Sequence, residues 1–208
     1  VNITVPALSA GAWSISVLDV TTGETATDTF TVEPKITLTP EEGSYNDEVT
    51  VKGYGFYSNR LITLTFDGYG VTPMPQPRTD DWGSFEAKIR VPSMPNGTYT
   101  VNASDGTNSA LASFTMIPKI TLNPTSGPPA TLVAVNGAGF APDVDFSIEF
   151  DAINVTMYPV GHTSSDGSFT QSFLVPDVPD ETYTVTATDE DENSATAPFL
   201  VPSPVMTL

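Results

Sequence analysis

The sequence predicts an all-β fold, and three observations support this. The 208 residues include 19 Pro and 15 Gly and are rich in Thr, Ser and Val, a composition that favours strands and tight turns over helices. Short alternating segments with β-branched residues are separated by Gly, Pro, Asn and Asp. The stretch PKITLTPEEGSYNDEVTVKGYGF, from residue 34, returns as PKITLNPTSGPPATLVAVNGAGF, from residue 118. One β-rich unit of 84 residues is therefore predicted to be used in series.

A second phrase divides the chain into four segments. VPSMPNGTYTVNASDG at 91–106 matches VPDVPDETYTVTATDE at 175–190 and VPALSAGAWSISVLDV at 5–20. We expect 1–33 to be the C-terminal part of a preceding repeat, 34–117 and 118–201 to be complete repeats, and 202–208 to be the first strand of a following repeat. A single Pro joins the repeats in TVEPKIT and TMIPKIT, which predicts stiff connections.

Each complete repeat contains six predicted strands. In the first repeat they lie near 36–39, 48–53, 61–67, 84–91, 98–104 and 110–116. In the second they lie near 120–122, 131–136, 145–150, 168–174, 182–188 and 195–201. Six or seven short strands with turns between them are typical of an immunoglobulin-like sandwich, so the predicted fold class is all-β, tandem immunoglobulin-like β-sandwiches.

Alternation along the strands predicts which side chains face inward. In the first repeat the expected core contains Val49, Val51, Leu64, Phe66, Phe85, Ile89, Tyr99, Val101, Ala103 and Phe114. In the second it contains Leu132, Ile148, Phe150, Phe169, Phe173 and Phe199. One core per repeat is expected.

These motifs resemble the TIG/IPT-type immunoglobulin-like repeats of bacterial and archaeal surface proteins. The resemblance depends on ITLTP and ITLNP, on the two G-x-G-F motifs that end at Phe56 and Phe140, on TDDWGSF and TSSDGSF, and on GTYTV and ETYTV. It covers essentially the whole chain and implies stalk, lattice or adhesion work. Tyr99 and Tyr183 look like the tyrosine corner of immunoglobulin domains. Trp13 stands at that position in the leading fragment and has no phenolic hydroxyl to donate, which argues against a corner there.

Charge and cysteine usage exclude several functions. The 25 acidic residues against 7 Lys plus Arg give a net charge of −18, which disfavours binding to nucleic acid or to an anionic membrane surface. The absence of Cys excludes disulfides, thiolate metal sites and thiol nucleophiles. No run of 18 apolar residues and no signal peptide is visible, so we expect no membrane insertion by this segment.

Two kinds of site are predicted. Asp189, Asp191 and Asn193 have a D-x-D-x-N spacing that suits calcium, although an acidic hairpin turn without metal is the competing interpretation. No other cofactor is expected. The N-x-[ST] motif predicts glycan acceptors at Asn2, Asn96, Asn102 and Asn154, and alternation places Asn102 on the outer face.

No catalytic motif rises above background, so no enzymatic activity is expected. His162 lies in a loop beside no partner that the sequence identifies. Asp80, Asp81 and Asp166 are expected to shape turns, with an interdomain cation site as the alternative interpretation. Tyr54, Tyr57, Tyr69 and Trp82 are candidates for a sugar-binding platform or for packing at the edges of one repeat.

The sequence thus predicts a structural repeat region of an extracellular prokaryotic surface protein, a surface-layer, stalk or filament subunit that acts as a stiff rod. Its expected partners are neighbouring copies or flanking repeats, with glycans as a further ligand. A longer tandem array is favoured over a polymer in which PSPVMTL of one copy pairs with the leading fragment of another. The alternative function is an adhesin or a carbohydrate-binding accessory module.

Overall fold

The computed structural model describes residues 2–71, 73, 75–156 and 161–203. Within these residues the chain is all-β, with multiple sheets and no helix. The described residues therefore contain no helix that is long and apolar enough to cross a membrane. The strands are β1 (Gly11–Leu18), β2 (Thr25–Val32), β3 (Lys35–Thr39), β4 (Glu42–Gly43), β5 (Glu48–Tyr54), β6 (Thr63–Phe66), β7 (Tyr69–Val71), β8 (Phe85–Arg90), β9 (Gly97–Ser104), β10 (Ser109–Met116), β11 (Lys119–Asn123), β12 (Leu132–Ala138), β13 (Phe146–Phe150), β14 (Ile153–Asn154), β15 (Phe169–Leu174), β16 (Thr182–Asp189) and β17 (Ser194–Leu200).

The predicted strands of both repeats are present, with ends that differ by one or two residues. The short strands β4, β7 and β14 were not predicted, because two or three residues carry too little alternation to be recognised. Of the predicted final segment 202–208, residues 204–208 lie outside the described residues.

The chain forms two compact units. The first comprises 1–41, 48–90 and 99–114, and the second comprises 42–47, 91–98 and 115–208. Two loops of the first predicted repeat, 42–47 and 91–98, therefore belong to the second unit.

The first unit contains the antiparallel hairpin β1–β2, the sheet β3–β5–β8 and the sheet β10–β9–β6–β7. Side chains from both larger sheets are fully buried, among them Val49, Val51, Phe66, Val101 and Phe114. Their burial confirms the predicted core of this repeat. The end of β10 belongs to the second unit, where Thr115 and Met116 pair in parallel with β4.

The second unit contains the sheets β11–β12–β15 and β14–β13–β16–β17. One core cluster draws side chains from both, including Val133, Val135, Ile148, Phe173 and Phe199. Aromatic contacts of the first unit recur here: Phe66–Phe114 at 5.4 Å between ring centroids corresponds to Phe150–Phe199 at 5.9 Å.

The prediction that Leu132 lies in the core is wrong. Leu132 is 59% exposed, whereas its neighbour Val133 is fully buried. Val133 stands 84 residues after Val49, so it occupies the inward position, and strand alternation turns Leu132 to the outer face.

Candidate functional site

The G-x-G-F motifs end the strands β5 and β12, and each glycine in them has its own steric reason. Gly53 pairs across the sheet with Phe85, and a Cβ on Gly53 would lie 2.0 Å from that ring. Gly137 and Phe169 repeat this arrangement at 2.1 Å. The first glycine therefore makes room for the phenylalanine of the next strand in the sheet.

The residue after the first motif, Tyr57, has both backbone polar groups bound by side chains. Its N–H donates to Asp105 Oδ2 at 2.9 Å, and its carbonyl accepts from Thr79 Oγ1 at 2.6 Å. Asp105 and Thr79 are 8% and 2% exposed. These bonds satisfy backbone groups that the turn of the chain leaves without strand partners.

The second repeat has the same network. Ala141 N–H donates to Asp189 Oδ2 at 2.8 Å, and Thr163 Oγ1 donates to the Ala141 carbonyl at 2.6 Å. Asp189 and Thr163 are 4% and 3% exposed. Sequence reasoning did not assign this role, although the recurrence of Thr and Asp 84 residues apart was a visible signal.

The carboxylate of Asp105 also holds the turn between β9 and β10. Its Oδ1 accepts the backbone N–H groups of Thr107 at 2.9 Å and Asn108 at 2.7 Å. Burial alone would raise the pKa of Asp105, but backbone hydrogen bonds from Asn108, Tyr57 and Thr107 outweigh it and lower that pKa. The ionised form is thus the one that stabilises this turn.

Residues 1–33 make two close backbone contacts with the G-x-G-F motif of the first complete repeat, and both contacts lie inside the first unit. Ala10 N–H donates to the carbonyl of Phe56 at 2.9 Å. Gly55 has φ of 69°, and a Cβ there would lie 2.7 Å from the carbonyl oxygen of Glu33. The chain can pass this closely only because position 55 is glycine.

The same two contacts recur at the next linker, inside the second unit. Asn96 N–H donates to the carbonyl of Phe140 at 3.1 Å. Gly139 has φ of 75°, and a Cβ there would lie 2.7 Å from the carbonyl oxygen of Ile117. Both linkers are thus held at equivalent positions, which are 84 residues apart except for Ala10 and Asn96, which are 86 apart.

The second linker also has side-chain contacts. Lys119 Nζ lies 2.7 Å from Asp47 Oδ1, and both side chains are well exposed. Ser44 Oγ donates to the carbonyl of Ile117 at 2.9 Å. Ser93 Oγ donates to Asp166 Oδ2 at 2.7 Å. These bonds join 42–47 and 91–98 to the rest of the second unit.

Three serine hydroxyls donate hydrogen bonds to the carboxylate of Asp166. Hydroxyl hydrogen bonds from Ser164, Ser93 and Ser168 lower the pKa of Asp166 to about 2. Its Oδ1 accepts from Ser164 at 2.5 Å and from Ser168 at 2.7 Å. The carboxylate therefore organises its own turn and binds the loop at Ser93.

A cleft of about 840 Å³ lies beside this network in the second unit. Its lining includes the exposed ring of Tyr45 and the polar side chains of Asn46, Asn136, His162 and Thr170. The lining thus combines one aromatic ring with amide and hydroxyl groups and with the charged side chains of Lys119 and Asp166.

At the predicted calcium site, both carboxylate oxygens of Asp189 accept hydrogen bonds. Oδ1 accepts from the backbone N–H of Asp191 at 3.0 Å and of Asn193 at 2.9 Å, and the Asn193 amide nitrogen lies 3.0 Å from Oδ2. A calcium ion bound through Asp189 would have to displace these donors. No group of three or more His, Asp or Glu side chains suited to a metal ion occurs among the described residues. The calcium site stays a prediction.

The predicted turn role of Asp80 is confirmed. Its Oδ1 accepts the backbone N–H groups of Trp82 at 2.9 Å and Ser84 at 2.8 Å. Asp81 Oδ1 accepts a hydrogen bond from Asn59 Nδ2 at 2.9 Å.

The four sequon asparagines differ in exposure. Asn2, Asn96 and Asn154 are exposed, and Asn154 Oδ1 accepts the backbone N–H of Thr156 at 2.9 Å. Asn102 is partly buried in β9, and its Oδ1 atom is shielded from solvent. Glycosylation of all four stays a prediction.

The remaining candidate side chains are exposed. His162 Nδ1 lies 2.8 Å from Asp145 Oδ1, a proximity that the sequence did not identify. Tyr54, Tyr69 and Trp82 are 48%, 68% and 57% exposed.

Comparisons with known proteins assign no family. No family model matches the chain, and no curated protein matches it either. Among solved structures, the chain is similar to the Yersinia pseudotuberculosis adhesin InvE, with 14% identity and a TM-score of 0.36 over 80% of this chain and 58% of that one. It is also similar to the glucan-utilisation protein SGBP-B of Bacteroides ovatus, solved with a mixed-linkage heptasaccharide, with 14% identity and a TM-score of 0.36 over 93% of this chain and 54% of that one. The D0–D1 domain of intimin matches with 11% identity and a TM-score of 0.29 over 80% of this chain and 97% of that one. The chain spans little more than half the length of the first two structures.

Proposed function

We propose that this chain is a non-catalytic structural repeat region of an extracellular prokaryotic surface protein, a surface-layer, stalk or filament subunit. In this proposal, tandem immunoglobulin-like β-sandwiches of the TIG/IPT type act as a stiff rod. Neighbouring copies or flanking repeats are its partners.

The recurrence of the linker contacts is the observation that carries the proposal. At the first linker Ala10 N–H binds Phe56, and at the second Asn96 N–H binds Phe140. A linker that only tethers two domains needs no such bonds, whereas a repeated set of bonds restricts the linker in the same way each time. Restricted linkers between sandwiches suit load-bearing and spacing roles.

Distance measurements between spin labels test the stiffness directly. The chain has no Cys, so Thr37→Cys and Thr121→Cys introduce one label at equivalent exposed positions of each repeat. We expect a narrow distance distribution, and we expect six inserted Gly/Ser residues between Ile117 and Pro118 to broaden it. An equally broad distribution in the uninterrupted chain would contradict the rod.

The cleft favours one alternative function, an adhesin or a carbohydrate-binding accessory module. Tyr45 offers an aromatic face and Asn136 and Thr170 offer hydrogen-bonding groups in the same cleft. A glycan array tests it: binding that Tyr45→Ala abolishes and Tyr69→Ala preserves would support this function, and no binding to any glycan would reject it.

Calcium binding and glycosylation belong to the same proposal. Calcium at Asp189, Asp191 and Asn193 is tested by calorimetric titration of the metal-free chain. Glycans at the four sequons are tested by mass spectrometry of protein isolated from its native cells.

A further inference from the structure

The outer face of the sheet β11–β12–β15 carries a set of uncharged side chains. Strand pairing arranges them in three rows: Thr121, Asn136 and Thr170; then Asn123, Ala134 and Ser172; then Leu132 and Leu174. We refer to these eight residues as the uncharged face. They lie within a chain whose net charge is −18.

The corresponding face of the first repeat is charged. There, Glu48 is the cross-strand partner of Arg90, and Lys88 Nζ lies 2.6 Å from Glu48 Oε1. Lys52 Nζ lies 3.1 Å from Glu86 Oε2 on the same sheet. Leu132 and Leu174 stand 84 residues after Glu48 and Arg90, so an ion-pair position in one repeat is a leucine pair in the other.

The leucine pair is exposed in spite of its apolar character. Leu132 is 59% exposed and Leu174 is 54% exposed, and the two are directly opposite each other on β12 and β15. Cross-strand neighbours present one continuous apolar spot, which water solvates unfavourably.

Charge decides which partner fits this face. Two copies of a chain with net charge −18 repel each other at most approaches. That repulsion is weakest where both partners present no charge and where apolar side chains lose water on contact. Lys119 lies on the same face of β11, one row beyond Thr121, and forms an ion pair with Asp47. The cleft that the first row lines also contains His162 and Asp166, so the uncharged part of the face ends at that row.

We propose that the uncharged face binds the same face of a second copy of this chain. A two-fold arrangement places Leu132 and Leu174 of one copy against the same residues of the other. Three strands about 4.8 Å apart and three rows about 7 Å apart cover roughly 300 Å² per copy, which is below the size of a stable interface. The contact is therefore weak in isolation, with a dissociation constant on the order of 0.1–1 mM, and becomes strong when many repeats in an array meet.

Sedimentation of the full 208-residue chain tests the proposal. At protein concentrations up to about 1 mM we expect reversible dimers, with association strengthened in 1 M NaCl because salt screens the repulsion. Leu174→Glu and Leu174→Lys are each expected to lower the association constant at least tenfold. Since Leu174→Lys reduces the net negative charge, loss of dimers in that variant cannot come from stronger overall repulsion.

A matched control lies on the charged face. Thr37→Glu changes the net charge as Leu174→Glu does, and Thr37 is exposed on β3 opposite Lys52. It should leave association unchanged, and circular dichroism should show all variants folded. A monomeric wild type at 1 mM in both salts, or equal losses from Thr37→Glu and Leu174→Glu, would overturn the proposal. The first result would leave the face to a different partner.

This inference rests on the proposed function and adds to it the surface on which neighbouring copies meet. The two can fail separately. A narrow spin-label distribution with no self-association would keep the rod and reject the contact, whereas dimers of a chain with a broad distribution would do the reverse.

Discussion

Asp105 Oδ2 accepts the backbone N–H of Tyr57 over 2.9 Å, and so connects the last hairpin of the first repeat to the loop after its G-x-G-F motif. The equivalent bond from Ala141 to Asp189 is 2.8 Å long. Both carboxylates are buried, and each accepts hydrogen bonds from several backbone N–H groups, so these two acidic side chains stabilise the fold. This explains why a spacing that suggests calcium can also arise from a turn that needs a carboxylate.

Replacement of Asp105 by Ala should destabilise the first unit by about 2–4 kcal/mol, because the N–H groups of Tyr57, Thr107 and Asn108 lose their acceptor. Urea unfolding followed by tryptophan fluorescence measures the loss. Glu24→Ala, at an exposed acidic residue of the same unit, is the control and should change stability by less than about 0.5 kcal/mol. Equal losses of stability in the two variants would show that the buried hydrogen bonds to Asp105 do not stabilise the unit.

Alternation and repetition were enough to predict the strands and most of the core. Phe66, Val101 and Phe199 are buried as expected, because inward positions of a sheet need apolar side chains. The prediction for Leu132 is wrong because two adjacent apolar residues, Leu132 and Val133, fit either register by alternation alone. The 84-residue shift from Val49 and the pairing with β15 both place Val133 inward.

The polar network was harder to predict. The buried hydroxyl of Thr79 and the buried carboxylate of Asp105 look like ordinary turn residues in the sequence. Their role depends on backbone groups of Tyr57, which lie 22 and 48 positions away. Contacts at such separations follow from the folded chain and leave no local pattern.

Acid should weaken the second unit through Asp166. Its folded-state pKa of about 2 lies below the usual 3.8, so its ionised form stabilises the fold above about pH 4, and this stabilisation is lost as pH falls toward 2. Solvent screening reduces the expected contribution to about 1 kcal/mol. Asp166→Ala should therefore lower the melting temperature at pH 6 and have little effect at pH 2.

Ser93→Ala provides the matching test of the hydroxyl at this carboxylate. It removes one of the bonds that depress the pKa of Asp166, so the loss of stability should begin at higher pH than in the wild type. If the difference between wild type and Asp166→Ala stays constant from pH 6 to pH 2, the carboxylate is not the titrating group.

Gly139→Ala should lower the free energy of unfolding by more than the strain of a positive φ alone explains. Gly139 and Gly68 both have positive φ, 75° and 81°, but only at Gly139 would a Cβ meet a backbone atom, the Ile117 carbonyl oxygen at 2.7 Å. We expect a loss of about 1 kcal/mol for Gly68→Ala and at least about 2–3 kcal/mol for Gly139→Ala. Chemical denaturation compares them, and equal losses would mean that the linker carbonyl moves aside without cost.

The hydrogen bond from an aromatic side chain to the carbonyl four residues before it occurs with two different donors, a phenolic hydroxyl and an indole N–H. Tyr183 donates its hydroxyl to the carbonyl of Pro179 at 3.0 Å, which confirms the predicted corner, and Trp13 donates its indole N–H to the carbonyl of Ser9 at 2.9 Å, also four residues back. The prediction against a corner at Trp13 is wrong, because the indole N–H takes the place of the phenolic hydroxyl as donor. Trp13→Phe should raise the amide exchange rates of β1 and β2 about fivefold to tenfold, since a lost hydrogen bond costs about 1 kcal/mol. Trp13→Tyr, which restores a donor, should recover most of the protection, and Tyr183→Phe should act in the same way on β16 and β17. If Trp13→Tyr exchanges as fast as Trp13→Phe, the aromatic ring area rather than the hydrogen bond holds the hairpin.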